Sequence, residues 1–125
     1  MSNTYDYAII RVVPRVERGE QINAGVVLSC ATADFLGAQV ALDAARLLAI
    51  APGVDVGEIE QALRVIEWIA AGDKRGGPIA ALPRGERFHW LVAPRSAIIQ
   101  PSVVHTGLCD DPEAALDKLL DRLVK

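Results

Sequence analysis

The residues best suited to chemistry gather between Lys74 and Asp111. His89 and His105 are the two histidines, and Cys109, Asp110 and Asp111 follow closely on the second. Histidine titrates near neutral pH and serves as acid, base or metal ligand. Arg87, Arg95 and Ser96 add groups that hold phosphate or carboxylate through charge-assisted hydrogen bonds. On a strand, Arg87 and His89 point the same way, and with Arg95 and Ser96 they make a pocket for such an anion. The plainer reading is an exposed sheet face carrying ordinary polar residues.

Spacing separates the harder chemistries. A closed zinc or iron site would need Cys30, His89, His105 and Cys109 to converge, and none forms a short-spaced pair, so no metal and no other cofactor is expected. The cluster from His105 to Asp111 has a structural explanation. Gly107 turns the chain, Cys109 packs as a small apolar residue and Asp111 caps a helix. A nucleophile needs a neighbouring base. Cys109 with His105 or His89, and Ser96 with His89, are the pairs on offer, but the Gly-x-Ser-x-Gly elbow is absent. Asp110 and Asp111 are adjacent, and adjacent side chains rarely face one site. Lys74-Arg75-Gly76-Gly77-Pro78 can wrap a phosphate with side chains and glycine amides, yet it lacks the spacing and the Lys-Ser/Thr end of a P-loop.

The chain has 125 residues, 51% hydrophobic and 23% charged, with a net charge of −3. That composition fits one globular domain, residues 1–125, able to hold a core without staples. Charge is unevenly placed. From Lys74 to Arg95, five cations stand against Glu86 alone, a net +4. From Cys109 onward Asp110, Asp111, Glu113, Asp117 and Asp121 outnumber Lys118, Arg122 and Lys125. Net acidity and an aromatic content of 5% disfavour nucleic acid as a partner. No apolar run approaches the roughly 20 residues of a spanning helix. The first residues carry no basic, cleavable leader, so a cytoplasmic address is expected. Cys30 and Cys109 are expected to be free thiols.

The elements that position these residues follow from periodicity. Tyr5–Val13 and Ile22–Cys30 read as an antiparallel hairpin turned at Glu17–Glu20, where Gly19 supplies a positive φ. By simple alternation Ile22, Ala24, Val26, Leu28 and Cys30 share one face. Phe35–Leu42 reads as a third strand, and Asp43–Ile50 as a short helix stopped by Pro52 and Gly53. Asp55 caps a longer helix whose stripe is Ile59, Ala62, Leu63, Ile66, Ile69 and Ala70, ending at Gly72. Asp73–Gly77 reads as a loop and Ile79–Leu82 as extended. Glu86–Ala93, with Phe88, Trp90 and Val92 alternating, predicts a strand. Ala97–Gln100 and Val103–His105 are short extended pieces. Pro112–Val124 is a helix capped by Asp111, with Leu116, Leu119, Leu120 and Leu123 on its stripe. Strands first, helices next, then strands and a closing helix predict an α+β single domain, mainly an antiparallel sheet with helices packed on one face.

Two blocks carry a family likeness. Tyr5-Asp6-Tyr7-Ala8-Ile9-Ile10-Arg11 with Asn23–Leu28 forms the first. Glu86–Ser96, continued by Ile98–Ser102 and Val104–Cys109, forms the second. Together they resemble the bacterial family called domain of unknown function 3037, over nearly the whole chain. That family brings no assigned reaction or ligand, so no catalytic residue carries over. Its members are often encoded beside a protein with a HipA-like kinase fold, and the resemblance implies a partner or regulator of such a protein. The expectation is a non-enzymatic accessory or regulatory protein that binds a protein partner or an anionic ligand. Arg87, His89, Arg95, Ser96, His105 and Asp110 are its candidate contacts. The alternative is a small enzyme for a phosphorylated or nucleotide substrate, with His89 or His105 as acid–base and arginines on the phosphate. It requires His89, His105 and Arg95 to converge in one concavity.

Overall fold

β1 (Asn3–Val12) and β2 (Ile22–Cys30) form the hairpin that their β-branched runs predict. They are the centre of a computed structural model that describes residues 2–125. β3 (Phe35–Val40) pairs with the outer edge of β2. The far edge of β1 is shared by two short strands. β4 (Ile99–Pro101) lies against Ile10–Val12 and β5 (His105–Cys109) against Asn3–Tyr7, every pairing being antiparallel. Ser102 spans the break between them. Its amide donates to the Ile9 carbonyl and its Oγ accepts from the Ile9 amide, both at 2.8 Å. Neither backbone group of Ile9 is therefore left orphaned in the interior.

Among the described residues, four helices join this sheet: α1 (Ala44–Ile50), α2 (Val56–Ala71), α3 (Arg84–Val92) and α4 (Pro112–Leu123). Asp43, Asp55 and Asp111 cap α1, α2 and α4 by accepting from the amides of Arg46, Glu58 and Glu113. Gly72, at φ 72°, ends α2 in the left-handed conformation.

The α+β class, antiparallel sheet and packed helices are as the element order predicts. α1, α2 and α3 share one face, where Leu47, Leu63, Ile69 and Leu91 pack over Ala8, Ile10, Val12 and Val27. α4 departs from the one-face arrangement. Its Leu116, Leu119 and Leu120 pack with Val26, Leu28 and Cys30 on the opposite face. β2 is thus covered on both sides, and a bulge makes this workable. The register runs from Ile10 opposite Gly25 to Arg11 opposite Asn23, so Ala24 is an extra residue. The insertion shifts the phase of the strand. Ile22 and Ala24 face α2 with Val27, whereas Val26, Leu28 and Cys30 face α4. The single face expected from plain alternation is corrected accordingly.

Glu86–Ala93 is not a strand but most of α3. Over nine residues, period 2 and period 3.6 share many apolar positions. Phe88, Trp90 and Val92 satisfied the first. The structure realises the second, with Phe88 and Leu91 packed inward and Trp90 39% exposed. Pro94 ends the helix by holding Ala93 extended at ψ 129°. Asp73–Gly77 contains a 3-10 turn at Lys74–Gly76, and Ile79–Leu82 falls largely in another at Pro78–Ala81, started by its proline rather than extended. The extended piece expected at Val103–His105 is shifted, since β5 begins at His105.

Candidate functional site

The helical state of Arg84–Val92 redistributes the expected polar pocket. On a helix, positions 87 and 89 are about 200° apart, so Arg87 and His89 leave on opposite sides. Arg87 turns inward. Its guanidinium donates to the Leu82 carbonyl at 2.7 Å and to the Ala70 carbonyl at 3.5 Å, tying α3 to the last turn of α2. That is a stapling role, because those carbonyls have no helical partner of their own. His89 is exposed on the outer side of α3, and Ser96 is exposed in the segment after Pro94.

Arg95 folds back on the end of α3. Its guanidinium lies 4.7 Å over the Trp90 ring and donates to the carbonyls of Trp90 and Ala93. Partial burial lowers its pKa from the ordinary guanidinium value, and the group stays charged.

His105 is on the other side of the molecule. Its register partner is Tyr7, the two rings are 5.4 Å apart, and Tyr7 belongs to the α4 face. His89, Arg95 and His105 therefore do not converge, which removes the geometry that the enzyme alternative required. Asp110 follows β5. Its carbonyl accepts from the Asn3 side chain at 3.5 Å, and its carboxylate makes no hydrogen bond among the described residues.

The nucleophile pairs fare no better. His105 and Cys109 are four residues apart on one strand, about 13 Å along its axis. The Cys109 thiol is pushed up by partial burial, by the Cys30 thiol, which shares its sheet face, and by Asp110 and Asp111. Such a thiol stays protonated and unreactive near neutral pH. The phosphate loop is also committed elsewhere. Arg75 lies 4.7 Å over Trp68 and pairs with Asp73 at 2.7 Å, and its hydrogen bonds hold the Asp73 carboxyl down at about 2.

What the sheet and helices do build on the α2 face is an open apolar groove of about 560 Å³. Ala62, Ile66 and Ile69 of α2 form one wall, and Trp90, Ile98 and Ile99 form the other. Trp90 and Ile98 are 39% and 45% exposed, high for apolar side chains so large. Glu58 stands at the rim near the start of α2, and Arg95 beside Trp90. The helical stripe of α2 signalled one wall in the sequence. The other was hidden, because a strand at Glu86–Ala93 would have sent Trp90 into the core.

The family model for proteins of unknown function, DUF3037, matches residues 7–124. The chain belongs to the DUF3037 family. No curated protein and no solved structure matches it. The matched span of this DUF3037 protein runs from the middle of β1 to the end of α4, so every helix and the groove lie within it. Among the described residues, no helix is long and apolar enough to cross a membrane.

Proposed function

We propose that this DUF3037 protein is a non-enzymatic accessory or regulatory protein that docks a protein partner in the α2–α3 groove. The partner is the HipA-like kinase-fold protein that the family resemblance implies, and the groove takes an apolar segment of it. The observation carrying this reading is the open apolar groove between Ile66 and Ile69 on one wall and Ile98, Ile99 and exposed Trp90 on the other. Apolar grooves of this shape accept amphipathic segments through side chains one helical turn apart. Tryptophan and arginine are the residue types that most often dominate binding energy, and here each orders the other. Glu58 and Arg95 both line the groove and favour a segment that carries complementary charges beside its apolar residues.

The test is calorimetric titration of the full chain with the purified kinase-fold protein encoded beside it. The expected result is binding that Ile98→Glu and Ile66→Glu each weaken about 30-fold, an effect of about 2 kcal/mol at a central contact. His89→Ala leaves the affinity unchanged. Absence of binding at about 10 μM, well above the range of stable complexes, overturns the proposal. Undiminished binding by Ile98→Glu does the same.

A further inference from the structure

On the opposite sheet face a second concavity, of about 460 Å³, opens between β5 and α4. That volume lies in the range of small-molecule sites. Pairing sets its floor. Tyr5 is opposite Gly107 across β1 and β5, and a side chain at Gly107 would meet the Tyr5 ring, with a Cβ only 2.5 Å from its Cζ and Oη. The glycine therefore lets the tyrosine ring lie over the neighbouring strand. Tyr7 follows with its ring 5.9 Å from that of Tyr5, and His105 lies 5.4 Å beyond, so an aromatic row crosses the two strands.

α4 forms the wall with the face next to its core stripe. Asp111, Ala114 and Ala115, Lys118 and Arg122 recur there at helical spacing. The alanines keep the cleft open. Lys118 and Arg122 are an i,i+4 pair, neighbours on the helix surface whose like charges repel. Neither has an ion-pair partner among the described residues. An anion between them turns that repulsion into attraction. Of the two carboxylates lining the cleft, Asp111 is engaged with the Glu113 amide as the helix cap, and Asp110 is free to accept.

We propose that this cleft binds a nucleoside phosphate, its base against Tyr5, its ribose hydroxyls on Asp110 and its phosphate between Lys118 and Arg122. Inorganic phosphate alone would use only the two cations and would meet Asp110 as a repelling neighbour. A nucleotide uses the ring, the free acceptor and the cation pair together. The site lies on the face opposite the groove, so the two proposals are independent.

The test titrates the full chain separately with AMP, GMP, CMP, UMP and inorganic phosphate, followed by calorimetry. At least one nucleotide is expected to bind below about 1 mM and about tenfold more tightly than phosphate. Lys118→Gln with Arg122→Gln keeps the leucine stripe of α4 intact and is expected to weaken nucleotide binding at least about tenfold, with unfolding unchanged. Tyr5→Leu is expected to weaken the nucleotide and not phosphate. If no nucleotide binds better than phosphate, or the Lys118/Arg122 variant binds as well as the parent, the proposal is overturned.

Discussion

Arg87 and His89 show how two residues with the same sequence promise acquire different roles. Both were candidate ligands for an anion. The backbone of α3 sends one to the last carbonyls of α2 and leaves the other in solvent. Arg87→Leu removes charged hydrogen bonds to part-buried carbonyls, and hydrogen bonds to charged groups contribute about 1.5–3 kcal/mol. The buried Arg87 Nε, which has no partner among the described residues, offsets part of that, so the lower end is expected. His89→Ala is expected to change stability by less than about 0.5 kcal/mol, as surface substitutions do. Urea unfolding of the two variants measures the contrast; equal losses would contradict the inward path of Arg87. Histidine and arginine are visible in a sequence, but which carbonyl an arginine finds is decided by a helix packed elsewhere.

Among the elements, β2 bears the heaviest constraint. It is covered by α2 on one face and α4 on the other, and the bulge at Ala24 makes both coverings compatible with one strand. Gly25 sits at that point. A Cβ there would stand 2.8 Å from the backbone oxygen of Gln39 and 2.9 Å from Val40 Cγ1. Backbone cannot swing aside as a flexible side chain does. Gly25→Ala is therefore expected to cost about 2–3 kcal/mol, the scale of overpacking in a close-packed interior. Thermal and urea unfolding check it, and a neutral substitution would mean that β3 is free to move. β3 is held from both faces, which argues against such freedom. Glu67 of α2 accepts from the Val40 amide at 3.2 Å, and Gln39 donates to Asp117 of α4. These two contacts also cover an edge strand that would otherwise invite pairing with another chain.

At the scale of the whole molecule, one sheet separates two apolar clusters. Leu63 anchors the α2 side and Leu120 the α4 side. Both clusters share β2, so they should melt together although they do not touch the same helices. Leu63→Ala and Leu120→Ala are each expected to lower stability by about 2–5 kcal/mol. Each is expected to leave a single unfolding transition, as small domains show. Circular dichroism and the fluorescence of Trp68 and Trp90, recorded on one urea series, test this. Separate midpoints for the two signals would show that the faces fold independently. The same division keeps the apolar groove and the nucleotide cleft on opposite sides of the sheet. Substitutions in one are expected to leave the other's ligand alone.

The sequence by itself determined the hairpin, the capped helices α2 and α4, and the α+β class. Those features rest on local causes: β-branched runs, aspartate caps, a glycine stop and leucines at helical spacing. It also displayed the residues from which sites are made. Only the tertiary structure decided their grouping. The nine residues of α3 were ambiguous until α2 offered Phe88 and Leu91 a surface, and that choice exposed Trp90 and separated Arg87 from His89. The bulge at Ala24 is one extra residue in a strand, invisible to alternation, yet it places α4 on the far face. Tyr5, Lys118 and Arg122, more than a hundred residues apart, meet only because β5 and α4 close against β1. Local periodicity records what each segment prefers, and packing between segments selects which preference is kept.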